Sequence, residues 1–120
     1  MAIFLIVEDE MFIQQNAAWV MEDLGHGSLL ACDLDEALVH LSAPGVIDAL
    51  FVDIRLNELA RGGYDVANQA VLMRPDLRVL YTSGTQLNSE MSGRFVNGGQ
   101  LLQKPYSPAH LESSIHQILH

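Results

Sequence analysis

The sequence predicts an α/β fold, a doubly wound five-stranded parallel sheet with helices on both faces. Three observations predict it. Short apolar runs alternate with helix-period segments five times along the 120 residues, as strands and crossover helices do. The runs "IFLIV" (3–7) and "ALFVDI" (49–54) are almost wholly apolar, the pattern of strands covered on both faces. Glycines, prolines and capping residues fall between the runs, where turns belong.

Each element has its own signal. After the first strand, Ile13, Ala17, Val20 and Leu24 lie on one helix face, and Gly25 and Gly27 end that helix. "SLLAC" (28–32) reads as the second strand, with Cys32 as a small core hydrophobe. Asp33 then offers an N-cap, with Glu36 three residues on in an Asp variant of the capping box. Leu34, Ala37, Leu38 and Leu41 supply the apolar stripe, and Pro44-Gly45 stops the helix. The third strand, 49–54, is followed by a polar, glycine-bearing loop, "RLNELARGGY". Val66, Ala70 and Met73 mark the third helix, which Arg74-Pro75-Asp76 closes. "RVLYT" (78–82) is the fourth strand. Leu87, Met91 and Phe95 predict a fourth helix over 86–97, interrupted by Gly93 and ended by Gly98-Gly99. "QLLQ" (100–103) is the fifth strand. Ser107 as N-cap and Pro108 at the first helical position open a last helix lined by Leu111, Ile115 and Ile118.

The length fits one domain, residues 1–120. A hydrophobic fraction of 49% supports a packed globule. A net charge of −9 argues against binding to a nucleic-acid backbone. A single cysteine excludes an internal disulfide, and no run is long enough to span a membrane. The start carries no signal-peptide pattern, so a reducing, cytoplasmic setting is the default. The five histidines (His26, His40, His110, His116, His120) are read as surface residues rather than phosphotransfer sites.

In open parallel sheets ligands bind beyond the carboxyl ends of the strands. Those ends carry Glu8-Asp9-Glu10, Asp53, Thr82-Ser83-Gly84 and Gln103-Lys104-Pro105. Lys104 is the only lysine in the chain. Clustered carboxylates call for a cation, and a few hard oxygen ligands suit Mg²⁺. A lysine and a hydroxyl beside them can meet an anion. Asp53, at the centre, could then be a nucleophile that takes a phosphoryl group. Each feature alone has a plainer reading. An acidic run is most often a solvated face, Ser83 a turn residue and Lys104 a strand-end cation. Their conjunction at successive strand ends favours chemistry.

"VEDE", "VDIRL", "YTSG" and "QKPYS", at this spacing and on this alternation, resemble the receiver domain of two-component response regulators over essentially the whole chain. The resemblance implies a flavodoxin-like (βα)5 sheet in strand order 2-1-3-4-5. It implies that Asp53 accepts a phosphoryl group from a histidine kinase or histidine phosphotransfer protein. It implies Mg²⁺ held by Asp9 and Asp53 directly, by Glu8 through water, and by the backbone carbonyl of Arg55. Ser83, preferred to Thr82 because Gly84 follows it, matches the switch hydroxyl. Lys104 matches the phosphate-pairing lysine, and its bond to Pro105 is typically cis in the family. The domain would catalyse only its own phosphorylation and dephosphorylation, and its downstream effector is unspecified. Two positions depart from the pattern: Leu101 stands where the family often has an aromatic switch residue, and Asn57 stands in place of a common proline.

Three other readings stay open on the residues alone. A phosphorylation-independent interaction module would keep the fold without the chemistry. An aspartyl phosphohydrolase usually carries a second acid two residues after its nucleophile, where this chain has Arg55. A flavin or nucleotide binder would want glycines or hydroxyls after the first strand, where this chain has three acids.

Overall fold

A computed structural model describes residues 1–59 and 61–120. Its sheet has five parallel strands in the order β2-β1-β3-β4-β5. In chain order the elements are β1 (Ile3–Val7), α1 (Met11–Asp23), β2 (Gly27–Ala31), α2 (Leu34–Ser42), β3 (Ala49–Asp53), α3 (Gly62–Met73), β4 (Arg78–Ser83), α4 (Ser89–Arg94), β5 (Gln100–Gln103) and α5 (Pro108–Leu119). A single 3-10 turn, Leu56–Glu58, lies between β3 and α3. No helix among the described residues is long and apolar enough to cross a membrane.

Side chains alternate across each strand, so each strand feeds two cores. Leu5, Val7, Leu50, Val52, Val79 and Tyr81 face α2, α3 and Met91 of α4. Phe4, Ile6, Ala49, Phe51 and Leu80 face α1 and α5, meeting Ala17, Met21, Leu111 and Ile115. Leu5, Leu50 and Leu80 are fully buried, and burial of each contributes about 2 kcal/mol.

The predicted caps form. Asp33 accepts from the Glu36 N–H at 2.8 Å, and Ser107 from the His110 N–H at 3.1 Å. The Lys104–Pro105 bond is cis.

Four local expectations are corrected. The second strand runs one residue earlier than predicted and stops at Ala31, which leaves Cys32 exposed rather than in the core. The backbone N–H of Cys32 donates to Glu36 Oε1 at 2.8 Å, so the residue belongs to the entry of α2. The apolar run "SLLAC" hid this boundary. The segment 55–64 is not all loop, because α3 already begins at Gly62; Ala60, within it, lies outside the described residues. Gly63 explains the early start. Its N–H donates to the Ile54 carbonyl at 2.8 Å, and a Cβ there would strike Asp53 O and Ile54 Cα. The glycine permits close approach of helix and strand rather than marking a loop. The fourth helix covers six residues, not the predicted twelve, and of its expected stripe only Met91 is buried while Leu87 stands exposed. Finally, His26 and His40 are half-buried and bonded to backbone, His26 Nδ1 accepting from the Ala2 N–H at 3.0 Å and His40 Nε2 lying 2.9 Å from the Leu30 carbonyl.

Candidate functional site

The carboxyl ends of β1, β3, β4 and β5 meet at one edge, and register brings their terminal residues side by side. Asp53 pairs with Thr82 across β3–β4, and Ser83 pairs with Gln103 across β4–β5. The Lys104 N–H then donates to the Ser83 carbonyl at 2.7 Å, which fixes the lysine just beyond the strand end.

Lys104 Nζ donates to Glu8 Oε2 at 2.9 Å and sits 3.4 Å from Asp53 Oδ2. Glu8 and Asp53 are buried while Asp9 is exposed. Oxygens of Glu8, Asp9 and Asp53 all lie within 4.8 Å of one another. The sequence-predicted cluster therefore assembles, with one ammonium facing two buried carboxylates. Burial pushes the Glu8 carboxyl above its ordinary value, although the hydrogen bonds from Lys104 and from the Glu10 N–H pull the other way. Burial alone would lower the Lys104 ammonium, but the Glu8 and Asp53 carboxylates outweigh it and raise the net value. The residues fit a small hard cation. Three carboxylates converge, and the exposed Asp9 leaves the cluster open on one side. The Arg55 carbonyl accepts from the Glu58 N–H at 3.1 Å and keeps a second lone pair. Arg55 also donates its own N–H to Asp53 Oδ1 at 3.2 Å.

The two hydroxyls at the end of β4 face different ways. Thr82 lines the narrow crevice that holds Glu8 and Asp53. Ser83 lines a separate recess toward α4, and its Oγ accepts from the Thr85 N–H at 3.0 Å. A second group of possible ligands, Cys32, Asp33 and Glu36, is already engaged in capping α2.

Two features had no sequence signal. Tyr81, Phe95 and Tyr64 form an aromatic layer beneath α4. Tyr81 stacks on Phe95 at 4.3 Å and 17°, and the Tyr64 and Tyr81 rings lie 5.8 Å apart. Tyr81 Oη accepts from the Val96 N–H at 2.9 Å. Tyr81 is also the register partner of Leu101, so an aromatic ring stands one strand over from the position where the family pattern places one. The second feature is Tyr106, whose hydroxyl is buried with no hydrogen-bond partner among the described residues. Burial, and then the charges of Glu8 and Asp53, push this phenol up to about 12. Its ring lies 6.1 Å from Phe51, in a cavity of about 830 Å³ between α1 and the loop after β5, which Trp19 and Lys104 also line.

No family model and no curated protein matches the sequence. Solved structures do. The receiver domain of the hybrid histidine kinase CckA superposes with a TM-score of 0.82 at 26% identity, covering 99% of this chain and 100% of that one. This chain has the receiver-domain fold of two-component response regulators. NtrX from Brucella abortus gives the receiver fold a TM-score of 0.87 at 26% identity over 99% of this chain, which spans only 27% of NtrX. A response regulator from Burkholderia pseudomallei, described with a phosphorylated aspartic acid, a calcium ion and citrate, shares the receiver fold at a TM-score of 0.81 and 22% identity, over 98% of this chain and 66% of that one.

Proposed function

We propose that this domain is a phosphorylation switch in a His-Asp phosphorelay, with Asp53 as phosphoacceptor. The observation that carries this reading is the position of Asp53. It is a buried carboxylate at the end of the central strand, 3.4 Å from the chain's one lysine and clustered with Glu8 and Asp9.

The donor is a histidine kinase or a histidine phosphotransfer protein in the cytoplasm. An Asp53 carboxylate oxygen attacks the phosphorus of the donor's phosphohistidine. The P–N bond breaks, the P–O bond forms and the imidazole leaves with its electron pair, to be protonated. Lys104, held by Glu8 and Asp53 before transfer, pairs with a phosphoryl oxygen after it. Ser83, whose Oγ accepts from the Thr85 N–H, donates its O–H to an oxygen of the new phosphoryl group. Mg²⁺, held by Asp9, Asp53, the Arg55 carbonyl and, through water, Glu8, would supply the positive charge that offsets the oxygens of the transferring group. The Burkholderia neighbour, described with a phosphorylated aspartic acid and a calcium ion, shares the fold, which supports the assignment. Met11, Phe12 and Trp19 stand exposed on α1 and offer the donor protein an apolar rim near the site. The added charge of about −1.5 to −2 is read out through the loop after β4 and the six-residue α4, with the Tyr81–Phe95–Tyr64 layer beneath. The domain turns over no other substrate.

The test is labelling with acetyl phosphate and Mg²⁺, followed by intact-mass spectrometry. The wild type gains one phosphoryl group and Asp53→Asn gains none. Undiminished labelling of Asp53→Asn would overturn the assignment.

A further inference from the structure

We propose that the recess between the β3–α3 loop and α4 is a binding site for a phosphate group, free or as a small monoester, gripped by Arg55, Arg61 and Arg94. The argument begins with where an acidic chain spends its cations. The chain has a net charge of −9, with five arginines and one lysine. Lys104 belongs to the carboxylate cluster. Arg74 is consumed by the carbonyls of Leu41, Ala43 and Gly45, and Arg78 by that of Ile118. The three remaining arginines, two from the β3–α3 loop and one from α4, all line one recess of about 440 Å³.

Like charges brought together repel, and the cost is recovered when an anion sits among them. Among the described residues the only carboxylate lining the recess is Glu90, and it pairs with Arg94 at 3.1 Å. Among the described residues, no carboxylate lies within ion-pair distance of Arg55 or Arg61. The remaining wall offers hydroxyls from Ser83 and Thr85 and the amide of Asn88, groups that donate to phosphoryl oxygens. Guanidinium forks meet phosphate in pairs of parallel hydrogen bonds. The volume falls in the range of small-ligand pockets, which leaves room for the ester group of a monophosphate beside its anion.

Asp53 does not line this recess, so its occupant is not the phosphoryl donor. The shared neighbour is Ser83. A phosphate bound here competes for the hydroxyl that the phosphorylated state would use, which makes the site a brake on the switch. Binding itself does not depend on the phosphorylation reading.

The test titrates the unphosphorylated chain, without Mg²⁺, with inorganic phosphate, with adenosine 5′-monophosphate and with a hexaglutamate peptide, following ¹H–¹⁵N amide shifts. The expected result is saturable shifts at Arg55, Ser83, Thr85 and Arg94 with one or both phosphate probes. The combined Arg55→Gln, Arg61→Gln variant should weaken them at least about tenfold. Stronger binding of the monophosphate than of inorganic phosphate identifies an ester as ligand, and equal binding identifies the free anion. Labelling of Asp53 by acetyl phosphate is read in a separate experiment, so failure of the phosphoacceptor assignment leaves this result intact. No saturation by about 10 mM of either phosphate probe, unchanged affinity in the arginine variant, or tighter binding of hexaglutamate would each overturn the proposal.

Discussion

Lys104→Met removes the one cation facing two buried carboxylates while keeping a long stem. Nζ lies 2.9 Å from Glu8 Oε2 and 3.4 Å from Asp53 Oδ2, and the three side chains retain 19%, 6% and 11% of their exposure. Breaking a buried pair from one side costs about 3–5 kcal/mol, because the remaining charge keeps its desolvation penalty. The open side at Asp9 lets water in, so the lower end, about 3 kcal/mol, is expected. With a urea slope of about 1.5 kcal/mol/M, the midpoint at neutral pH should fall by about 2 M. The pH dependence fixes the cause. Glu8 already has a raised pKa in the wild type, so its contribution is full below the ordinary value of 4.5 and declines as pH rises through the folded value. Without Lys104 the folded value rises further and the decline deepens. The deficit of the variant should therefore be largest near neutrality and shrink toward about pH 4, where Glu8 is protonated in both proteins. Adding Glu8→Gln to Lys104→Met should restore part of the loss. A midpoint within about 0.3 M of wild type at neutral pH, or a deficit that does not change with pH, would refute the view that the ammonium offsets the buried carboxylates.

Tyr106→Phe should stabilise the domain by about 1 kcal/mol in urea melts, since it deletes a buried hydroxyl that has no partner. In the wild type, this phenol should ionise only near pH 12, read by phenolate absorbance. Gly63→Ala should cost about 3 kcal/mol, because its Cβ meets the backbone of Asp53 and Ile54. Gly93→Ala should gain about 0.5–1 kcal/mol, because it lies within α4 and nothing stands within 4 Å of the new methyl. Paired thermal melts of the two alanine variants check both signs.

The strands and the carboxylate–lysine cluster were legible in the sequence, because burial on both faces writes an unbroken apolar run and the clustered side chains sit where each run stops. The limits of Cys32 and Gly63 were not legible. Cys32 extends an apolar run by one residue past the last ladder partner, Ala31. A glycine pair next to polar residues reads as a loop until β3 is known to pass against it. The arginine recess and the Tyr64–Tyr81–Phe95 layer were invisible for a common reason. Their members come from different elements, and no local periodicity links residues joined only by the crossing of α3, β4 and α4.

The seating of Gly63 against Asp53 makes α3 a lever hinged at that carboxylate. Twelve residues give an arm of about 18 Å, so a tilt of about 4° at the hinge displaces the far end by about 1 Å. That far end is not free. Arg74, capping α3, grips the carbonyls of Leu41, Ala43 and Gly45, so the stroke is delivered to the exit of α2, which packs on the same face of the sheet as α3 and α4. On the proposed reading, phosphorylation of Asp53 is felt through α3 at the exit of α2, and the amide shifts of Ala43 and Gly45 are the gauge that reads it.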